Sequence, residues 1–224
     1  MVIGLCGKKR VGKNTVADMI QSNLQFKDYK QYAIAGPLKR LVADWLNLSE
    51  EYIEGDRKED EIFISYYQLT NSLRMYIFKH FDISERDADL ISCSFYQYAS
   101  EVEEDYLPLY GSQGGLLMYY KTTPRQVLQN LGTDAFRDFD DQFWLKLIPK
   151  NENLIITDIR FQNEYDYVKN LGEVIHISRD LKEDSNSRHS SEAGVSVEED
   201  DFIIENNGTL QDLSDEVLNI TEKL

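Results

Sequence analysis

Short apolar runs alternate along the chain with stretches in which apolar residues recur at helical spacing. Five runs predict buried strands: residues 1–6, 31–35, 154–157, 174–177 and 202–204. Helical spacing follows four of them, at residues 16–24, 38–46, 164–171 and 210–218. Strands that alternate with helices are typical of a parallel sheet covered on both faces. The pattern therefore predicts a three-layer α/β/α fold.

The middle of the chain departs from this alternation. Residues 50–123 are rich in Tyr, Phe, Glu and Asp, and no run within them predicts a buried strand. Apolar spacing predicts amphipathic helices over 62–81 and 87–101. The glycine-containing stretch 106–120 predicts a loop that could include a hairpin. We therefore expect a mainly helical middle.

Composition and charge narrow the class of protein. The 224 residues, 42% hydrophobic and 29% charged, are typical of one large globular domain or two small ones. A formal net charge of −16 argues against nucleic acid or an anionic membrane as a partner. Two cysteines and three scattered histidines favour neither a disulfide scaffold nor a zinc site. The N-terminus is apolar first and basic second, the reverse of a signal peptide, so we expect an intracellular protein.

The clearest motif follows the first predicted strand. Residues 7–13 fit G-x-x-x-x-G-K, with Gly7, Gly12 and Lys13 at the fixed positions. The glycines let successive N–H groups point at a phosphate, and the following helix adds its N-terminal dipole. Lys13 would then reach the β- and γ-phosphates. The motif predicts a phosphate loop; the alternative is an ordinary glycine-containing turn.

The position after Lys13 departs from the motif, because Asn14 replaces the Ser or Thr that binds magnesium. Thr15 comes one residue late, and Thr15 or waters could serve instead. A second acid is expected at the end of another strand to hold magnesium through water. Asp158 is the best candidate, with a helix N-cap as the alternative. Arg160 lies near the same predicted sheet edge, where ligands bind in open α/β sheets.

The length and layout favour a kinase that acts on a small molecule. A GTPase would carry an Asn/Thr-Lys-x-Asp guanine clamp, which the sequence lacks. A kinase needs basic side chains for its two phosphorylated ligands, and six are candidates: Lys39, Arg57, Arg125, Arg160, Arg179 and Arg188. Each could instead be a surface ion-pair partner, as Arg57 could be for Glu54 or Glu61.

Several segments, in order along the chain, resemble the bacteriophage deoxynucleoside monophosphate kinases. They are residues 7–15, 35–39, 55–57, 125 with 129–134, 144–147, 158–160, 174–179, 189–194 and 206–210. The resemblance covers nearly the whole chain except residues 60–120. The family also lacks Ser or Thr at position 14, where its Asp is replaced here by Asn14.

The resemblance implies an adenylate-kinase-like P-loop core with five parallel strands in the order 2-3-1-4-5. It implies a single P-loop kinase domain over 1–224, a helical acceptor-binding subdomain inserted at 50–123, and a lid at 179–194. The residues implied to bind ATP are Gly7, Arg10, Gly12, Lys13, Asn14 and Thr15. Those implied to bind the acceptor are Lys9, Lys39, Arg57, Arg125 and Gln129.

The implied reaction transfers a phosphoryl group from ATP, with Mg²⁺, to a deoxynucleoside monophosphate (dNMP). Lys13 and Arg160, with Arg179 or Arg188 from the lid, would act on the transferring group, and Thr15 and Asp158 would hold the metal. His189 and Glu192 would anchor the lid. Trp144 is expected to pack in the core. Two alternatives stay open: a kinase for another acceptor such as dephospho-coenzyme A, and a non-catalytic nucleotide-binding protein.

The resemblance also implies a cytoplasmic enzyme, in a host cell if a phage encodes it, and is consistent with a homodimer. An aromatic set in the middle of the chain could supply the dimer interface or the core of the insertion: Tyr66, Tyr67, Tyr76, Phe78, Phe95, Tyr96 and Tyr98.

Overall fold

The structure, a computed structural model, describes residues 1–100, 106–110, 116–180 and 195–224. The chain forms two units. Unit 1 comprises Met1–Ile34 and Trp144–Leu224, and unit 2 comprises Ala35–Phe143. Residues 50–123 therefore belong to unit 2.

The strands are β1 (Val2–Cys6), β2 (Lys30–Tyr32), β3 (Ile62–Ser65), β4 (Tyr106–Tyr110), β5 (Leu116–Thr122), β6 (Leu154–Ile159), β7 (Gly172–Ser178) and β8 (Phe202–Glu205). The α-helices are α1 (Lys13–Ser22), α2 (Gly36–Leu46), α3 (Glu50–Ile53), α4 (Leu73–His80), α5 (Glu85–Ser100), α6 (Pro124–Gln129), α7 (Phe136–Phe139), α8 (Phe143–Lys146), α9 (Gln162–Lys169) and α10 (Leu210–Thr221). A 3-10 helix covers Asp56–Glu59, and π-helical turns cover Gln68–Ser72 and Asn130–Ala135.

A five-stranded parallel sheet forms the centre of unit 1, which confirms the predicted α/β class. Its order is β2-β6-β1-β7-β8. Counted among the strands of this sheet alone, that order is 2-3-1-4-5; the whole-chain labels differ because β3, β4 and β5 belong to unit 2. All five residues of β1 are buried, as expected for a central parallel strand.

Helices cover both faces of this sheet. On one face, Ile3, Leu5 and Ile175 pack in a single apolar cluster with side chains of α1 and α10, such as Ile20 and Val217. On the other face α9 lies so close that a Cβ atom on Gly4 would fall 2.7 Å from Val168 Cγ1. The buried side chain of Trp144 confirms its expected place in the core. Every helix within the described residues is too short or too polar to cross a lipid bilayer.

Unit 2 contains a three-stranded antiparallel sheet of order β3-β5-β4, in addition to its helices. This sheet corrects the expectation of a mainly helical middle, although of the four residues of β3 only Ile64 is buried. The predicted helix over 62–81 is wrong only at its start, because β3 (Ile62–Ser65) pairs with Tyr119–Thr122, whereas residues 66–80 are helical. The hairpin that 106–120 could include is formed by β4 and β5.

The aromatic residues of unit 2 divide between core and surface. Phe81, Phe136 and Phe143 form a mutual cluster with ring centroids 4.7–5.4 Å apart. Of the set that sequence left undecided, Phe95 is buried against Trp45. Tyr66, Tyr67 and Phe78 are exposed, and Tyr76, Tyr96 and Tyr98 are half-buried. Neither alternative therefore describes the whole set.

Candidate functional site

The 7–13 loop joins β1 to α1 and contains three residues with left-handed backbone angles. Gly7, Arg10 and Gly12 have φ values of 144°, 67° and 102°. A Cβ atom on Gly7 would lie 2.3 Å from the carbonyl oxygen of Ile177, so this position excludes any side chain. Left-handed residues curl a loop so that consecutive N–H groups can face an anion. The backbone of this loop is therefore compatible with phosphate binding.

Lys13 is the first residue of α1, and its side chain folds back over the 7–13 loop. Its Nζ donates hydrogen bonds to the carbonyl oxygens of Gly7, at 2.6 Å, and Lys8, at 2.8 Å. The pKa of Lys13 is lowered to about 8, mainly because burial disfavours the charge and also because Arg160 lies nearby. Asp158 acts in the opposite direction. An incoming phosphate would therefore meet an ammonium group that the loop already holds in place.

Asp158 is the penultimate residue of β6, and its negative charge acts to raise the pKa of Lys13. Its Oδ1 accepts a hydrogen bond from the backbone N–H of Ile34, at 2.6 Å. The alternative that Asp158 caps the next helix is wrong, because Phe161 occupies the N-cap of α9. The carboxylate therefore stays at the carboxyl end of a central strand.

Glu164 is a residue of this edge that sequence reasoning missed. Its buried carboxylate accepts hydrogen bonds from the N–H groups of Arg160, at 2.8 Å, and Phe161, at 3.1 Å. It thus fixes the backbone from which the exposed Arg160 side chain extends. The signal was present as an acid three residues after the N-cap, the spacing of a capping box.

The two side chains predicted to hold magnesium, Thr15 and Asp158, both lie at the carboxyl edge of the parallel sheet of unit 1. Asn14 and Thr15 lie in the first turn of α1 and are exposed. A hydroxyl from Thr15, a carboxylate from Asp158 and water are oxygen donors of the kind that magnesium prefers. Asn14 adds an amide oxygen. These residues therefore fit a magnesium ion that arrives with a nucleotide.

The predicted lid lies mostly outside the described residues, and Arg188, His189 and Glu192 fall there. Arg179 directly follows β7 and is exposed. Because β7 pairs with β1 in parallel, Arg179 starts at the same sheet edge as the 7–13 loop.

Three of the predicted acceptor-binding side chains contact carboxylates of one segment in unit 2, residues 54–60. The pairs are Lys39 with Glu54 at 2.7 Å, Arg57 with Asp60 at 2.7 Å, and Arg125 with Glu59. A phosphate carries the same charge sign and the same kind of oxygen acceptor as these carboxylates. The structure therefore brings these three cations to one segment.

Arg57 is half-exposed and has two contacts within unit 2. Its guanidinium carbon lies 4.1 Å from the centre of the Tyr52 ring, and its Nε bonds Asp60. The alternative that Arg57 is a surface ion-pair partner therefore describes this structure, with Asp60 as the partner in place of Glu54 or Glu61.

Gln129 and Lys9 complete the predicted acceptor set. Gln129 ends α6, the helix that also carries Arg125 and that begins with a capping box at Thr123. Lys9 belongs to unit 1, within the 7–13 loop, and so lies in a different unit from the other four.

Asn206 is a second residue that sequence reasoning missed, although the turn that contains it was part of the resemblance. It follows β8 and is buried. Its side-chain amide donates a 2.8 Å hydrogen bond to the carbonyl oxygen of Val11. The two residues are 195 positions apart, so no local pattern could reveal this contact.

A family comparison decides the class of protein. The model of the deoxynucleotide monophosphate kinase family matches residues 1–69 and 115–217. The chain belongs to this family. It is therefore a kinase, and every candidate residue named above lies within the matched ranges.

Three viral relatives support the assignment along nearly the full chain. The deoxynucleotide monophosphate kinase of Escherichia phage RB69 is 28% identical, over 95% of this chain and 96% of its own. The enzyme of the same name from Enterobacteria phage T4 is 28% identical, over 100% and 99%. A putative deoxynucleotide monophosphate kinase of Acanthamoeba polyphaga mimivirus is 25% identical, over 99% and 96%.

The family match omits residues 70–114, which include α4, α5 and β4. This is the part in which the sequence resemblance was weakest. The family match therefore covers unit 1 up to residue 217 and the two ends of unit 2.

Proposed function

We propose that this member of the deoxynucleotide monophosphate kinase family transfers the terminal phosphoryl group of ATP to dNMPs, giving ADP and deoxynucleoside diphosphates. The observation that carries the proposal is the Lys13 ammonium, bonded to the 7–13 loop and flanked by Asp158 and Arg160 at one sheet edge. Ligands bind at this edge in open α/β sheets.

ATP would bind through the 7–13 loop and the first turn of α1. Backbone N–H groups from Gly7 to Gly12 and the Lys13 ammonium supply donors and positive charge to the phosphates. Arg10, Asn14 and Thr15 expose their side chains beside this backbone. Magnesium, held by Thr15 and by Asp158 through water, would neutralise phosphate charge.

The dNMP would bind through the basic side chains of residues 39–129, with Lys9 as a further contact. Lys39, Arg57 and Arg125 already hold carboxylates, and the acceptor phosphate would replace one or more of these. Arg57 and Arg125 can each offer a planar fork to phosphate oxygens. Gln129 is the neutral member of the set and is assigned to the base.

The chemistry needs little more than positioning and charge. The 5′-phosphate of the acceptor is already anionic, so no general base is required. Lys13, Arg160 and a lid arginine, Arg179 or Arg188, would stabilise the charge on the transferring group. A lid over residues 179–194 would exclude water, so that the acceptor rather than water takes the phosphoryl group.

The relatives from two bacteriophages support a host cytoplasm as the place of this reaction. A homodimer stays part of the proposal, with the exposed Tyr66, Tyr67 and Phe78 of unit 2 as candidate contacts.

The test is a substrate panel with the purified full chain, ATP and magnesium, read as ADP release. The acceptors are the four dNMPs, the matching ribonucleotides and dephospho-coenzyme A. Release that depends on a dNMP supports the proposal. Release that depends on dephospho-coenzyme A alone would reassign the acceptor, and ATP binding without release would indicate a non-catalytic nucleotide-binding protein.

A further inference from the structure

A buried side chain in the turn after β8 contacts the 7–13 loop. Asn206 Nδ2 donates to the carbonyl oxygen of Val11 at 2.8 Å, and the backbone N–H of Asn206 donates to the carbonyl oxygen of Ser178 at 2.8 Å. Only 9% of Asn206 is exposed. One residue thereby joins the 7–13 loop to the end of β7.

The Val11 carbonyl needs such a donor because it lies just outside the helical ladder. The α1 ladder begins with the hydrogen bond from Val16 N–H to the Gly12 carbonyl oxygen, which leaves the preceding carbonyl unused by the helix. A buried carbonyl without a donor is costly, so the peptide would rotate toward another partner. The Asn206 amide therefore fixes the orientation of the Val11–Gly12 peptide.

The amide also limits the conformation of Gly12. A Cβ atom there would lie 2.6 Å from Asn206 Nδ2, so the side chain of Asn206 packs directly against the Gly12 backbone. Gly12 has φ 102° and is the N-cap of α1. Its backbone angles set the direction in which Lys13 and the first N–H groups of the helix point.

We propose that Asn206 is a positioning residue for ATP: it holds the Val11–Gly12 peptide so that the loop N–H groups and Lys13 face the β- and γ-phosphates. This inference rests on the proposed function for the identity of the ligand. Asn206 contacts the backbone of the loop and would act on the nucleotide only by holding that backbone in place. Its removal should therefore weaken ATP binding selectively.

The neighbouring Asn207 provides a matched control in the same turn. Its Oδ1 accepts a 2.7 Å hydrogen bond from the N–H of Asp180, and its side chain is exposed. Asn207→Ala removes one side-chain bond of the turn and leaves the contact with Val11 in place. Asn206→Leu keeps the approximate size of the side chain and removes its hydrogen-bonding groups without adding a charge.

The experiment compares wild type with Asn206→Ala, Asn206→Leu and Asn207→Ala. The dissociation constant of a fluorescent ATP analogue is measured by titration, the Michaelis constants for ATP and dNMP by steady-state kinetics, and folding by thermal unfolding. We expect both Asn206 variants to raise the ATP constants about 10-fold, the scale of one lost hydrogen bond. The dNMP constant and the Asn207→Ala protein should stay close to wild type.

Several results would overturn the proposal. ATP constants unchanged in folded Asn206 variants would do so, as would equal rises for ATP and dNMP. Failure of both Asn206 variants to fold, with Asn207→Ala folded, would assign the residue to the stability of the fold instead. The binding titration needs no turnover, so a wild type that binds ATP without phosphorylating dNMPs would refute the proposed function and still decide the role of Asn206.

Discussion

At the scale of single residues, the 7–13 loop is organised around one ammonium group. Lys13 bonds two carbonyls of its own loop, and burial together with Arg160 lowers its pKa to about 8. A charge that is partly removed from water acts more strongly on a phosphate than an exposed one. The ligand, rather than the apolar core, is therefore the expected partner of this side chain.

Replacing Lys13 tests this role. Lys13→Ala should lower turnover at least about 100-fold, the scale of one preorganised electrostatic contact. The far-ultraviolet circular dichroism should be unchanged, because the ammonium bonds two loop carbonyls and does not pack in the core. Lys8→Ala, in the same loop but with an exposed side chain, is the control and should stay close to wild type. Near-normal turnover of folded Lys13→Ala would contradict the assignment of the loop.

Thr15 and Asn14 form a pair whose comparison assigns the magnesium ligand. If the Thr15 hydroxyl contacts the ion, Thr15→Val should raise the magnesium concentration needed for half-maximal turnover more than Asn14→Ala does. Both side chains are exposed, so neither change should alter folding. A larger effect of Asn14→Ala would move the ligand by one residue. Equal and small effects would leave Asp158, acting through water, as the main support of the metal.

At the scale of elements, a buried carboxylate connects α9, β7 and the turn before β8. The Asp201 side chain is fully buried and accepts hydrogen bonds from Tyr165, Lys169, His176 and the N–H of Glu198. Burial acts to raise the pKa of Asp201, but these hydrogen bonds outweigh it and hold the pKa below its usual value. The cluster should therefore stabilise the folded state only while Asp201 is ionised.

Asp201→Asn should lower the free energy of unfolding at pH 7 by about 3 kcal/mol, the cost of breaking a buried ion pair. The folded carboxyl has a lower pKa than the unfolded one, at about 3.9, so its contribution is present above that pH and is lost as the pH falls through the folded pKa. The difference between variant and wild type should accordingly shrink below about pH 4. Urea unfolding at a series of pH values measures it.

Asp200→Asn is the matched control for this cluster. Asp200 also contacts Lys169, at 3.1 Å, but its side chain is 73% exposed. An exposed pair contributes about 0–1 kcal/mol, so this variant should unfold much like wild type at every pH. A loss in Asp200→Asn as large as in Asp201→Asn would show that burial is not the cause.

Local patterns predicted β1, β6, β7 and β8 because each contains a short apolar run. They predicted β2 poorly, because Lys30–Tyr32 is polar and mostly exposed and overlaps the predicted strand 31–35 at only two residues. They failed at β3, where Ile62 and Ile64 alternate but Leu69, Leu73 and Ile77 continue at helical spacing. The strand is decided by pairing with β5, more than 50 residues away in the sequence. A pattern that looks only at neighbouring residues cannot include that partner.

The residues of the candidate site also differ in whether a local pattern could predict them. Gly7, Gly12 and Lys13 form a local motif and were identified from spacing. Asn206 approaches Val11 across almost the whole length of the chain. Its contact with the loop depends on the sheet order, which places β8 at the edge of the sheet beside β7.

At the scale of the whole molecule, an acidic protein must bind two anionic ligands. The chain has 24 basic and 40 acidic side chains. The candidate cations are accordingly held by local partners: loop carbonyls for Lys13 in unit 1, and carboxylates of residues 54–60 for Lys39, Arg57 and Arg125 in unit 2. Donor and acceptor binding should therefore respond to different substitutions.

Arg57→Ala should weaken dNMP binding and leave ATP binding unchanged. A charge-assisted hydrogen bond contributes about 1.5–3 kcal/mol, so the Michaelis constant for dNMP should rise roughly 10- to 150-fold. Arg57→Lys should restore only part of the loss, because an ammonium lacks the planar fork. Steady-state kinetics with each substrate varied in turn gives both constants.

Arg74→Ala is the control for Arg57. Arg74 is 42% exposed, pairs with Asp89 at 3.2 Å, and lies outside the residues that match the family. Its replacement should leave both Michaelis constants close to wild type. Equal changes for ATP and dNMP in Arg57→Ala, or no change in either, would remove Arg57 from the acceptor site.

The central claim, that this protein phosphorylates dNMPs, is tested most directly by following the terminal phosphoryl group of ATP. The purified chain is incubated with magnesium, ATP labelled in the γ-phosphate and one dNMP at a time, and the nucleotides are separated by chromatography. The account predicts that the label appears in the corresponding deoxynucleoside diphosphate, with an equal amount of ADP. Label that reaches only inorganic phosphate, or no transfer to any dNMP by folded protein that binds ATP, would contradict it.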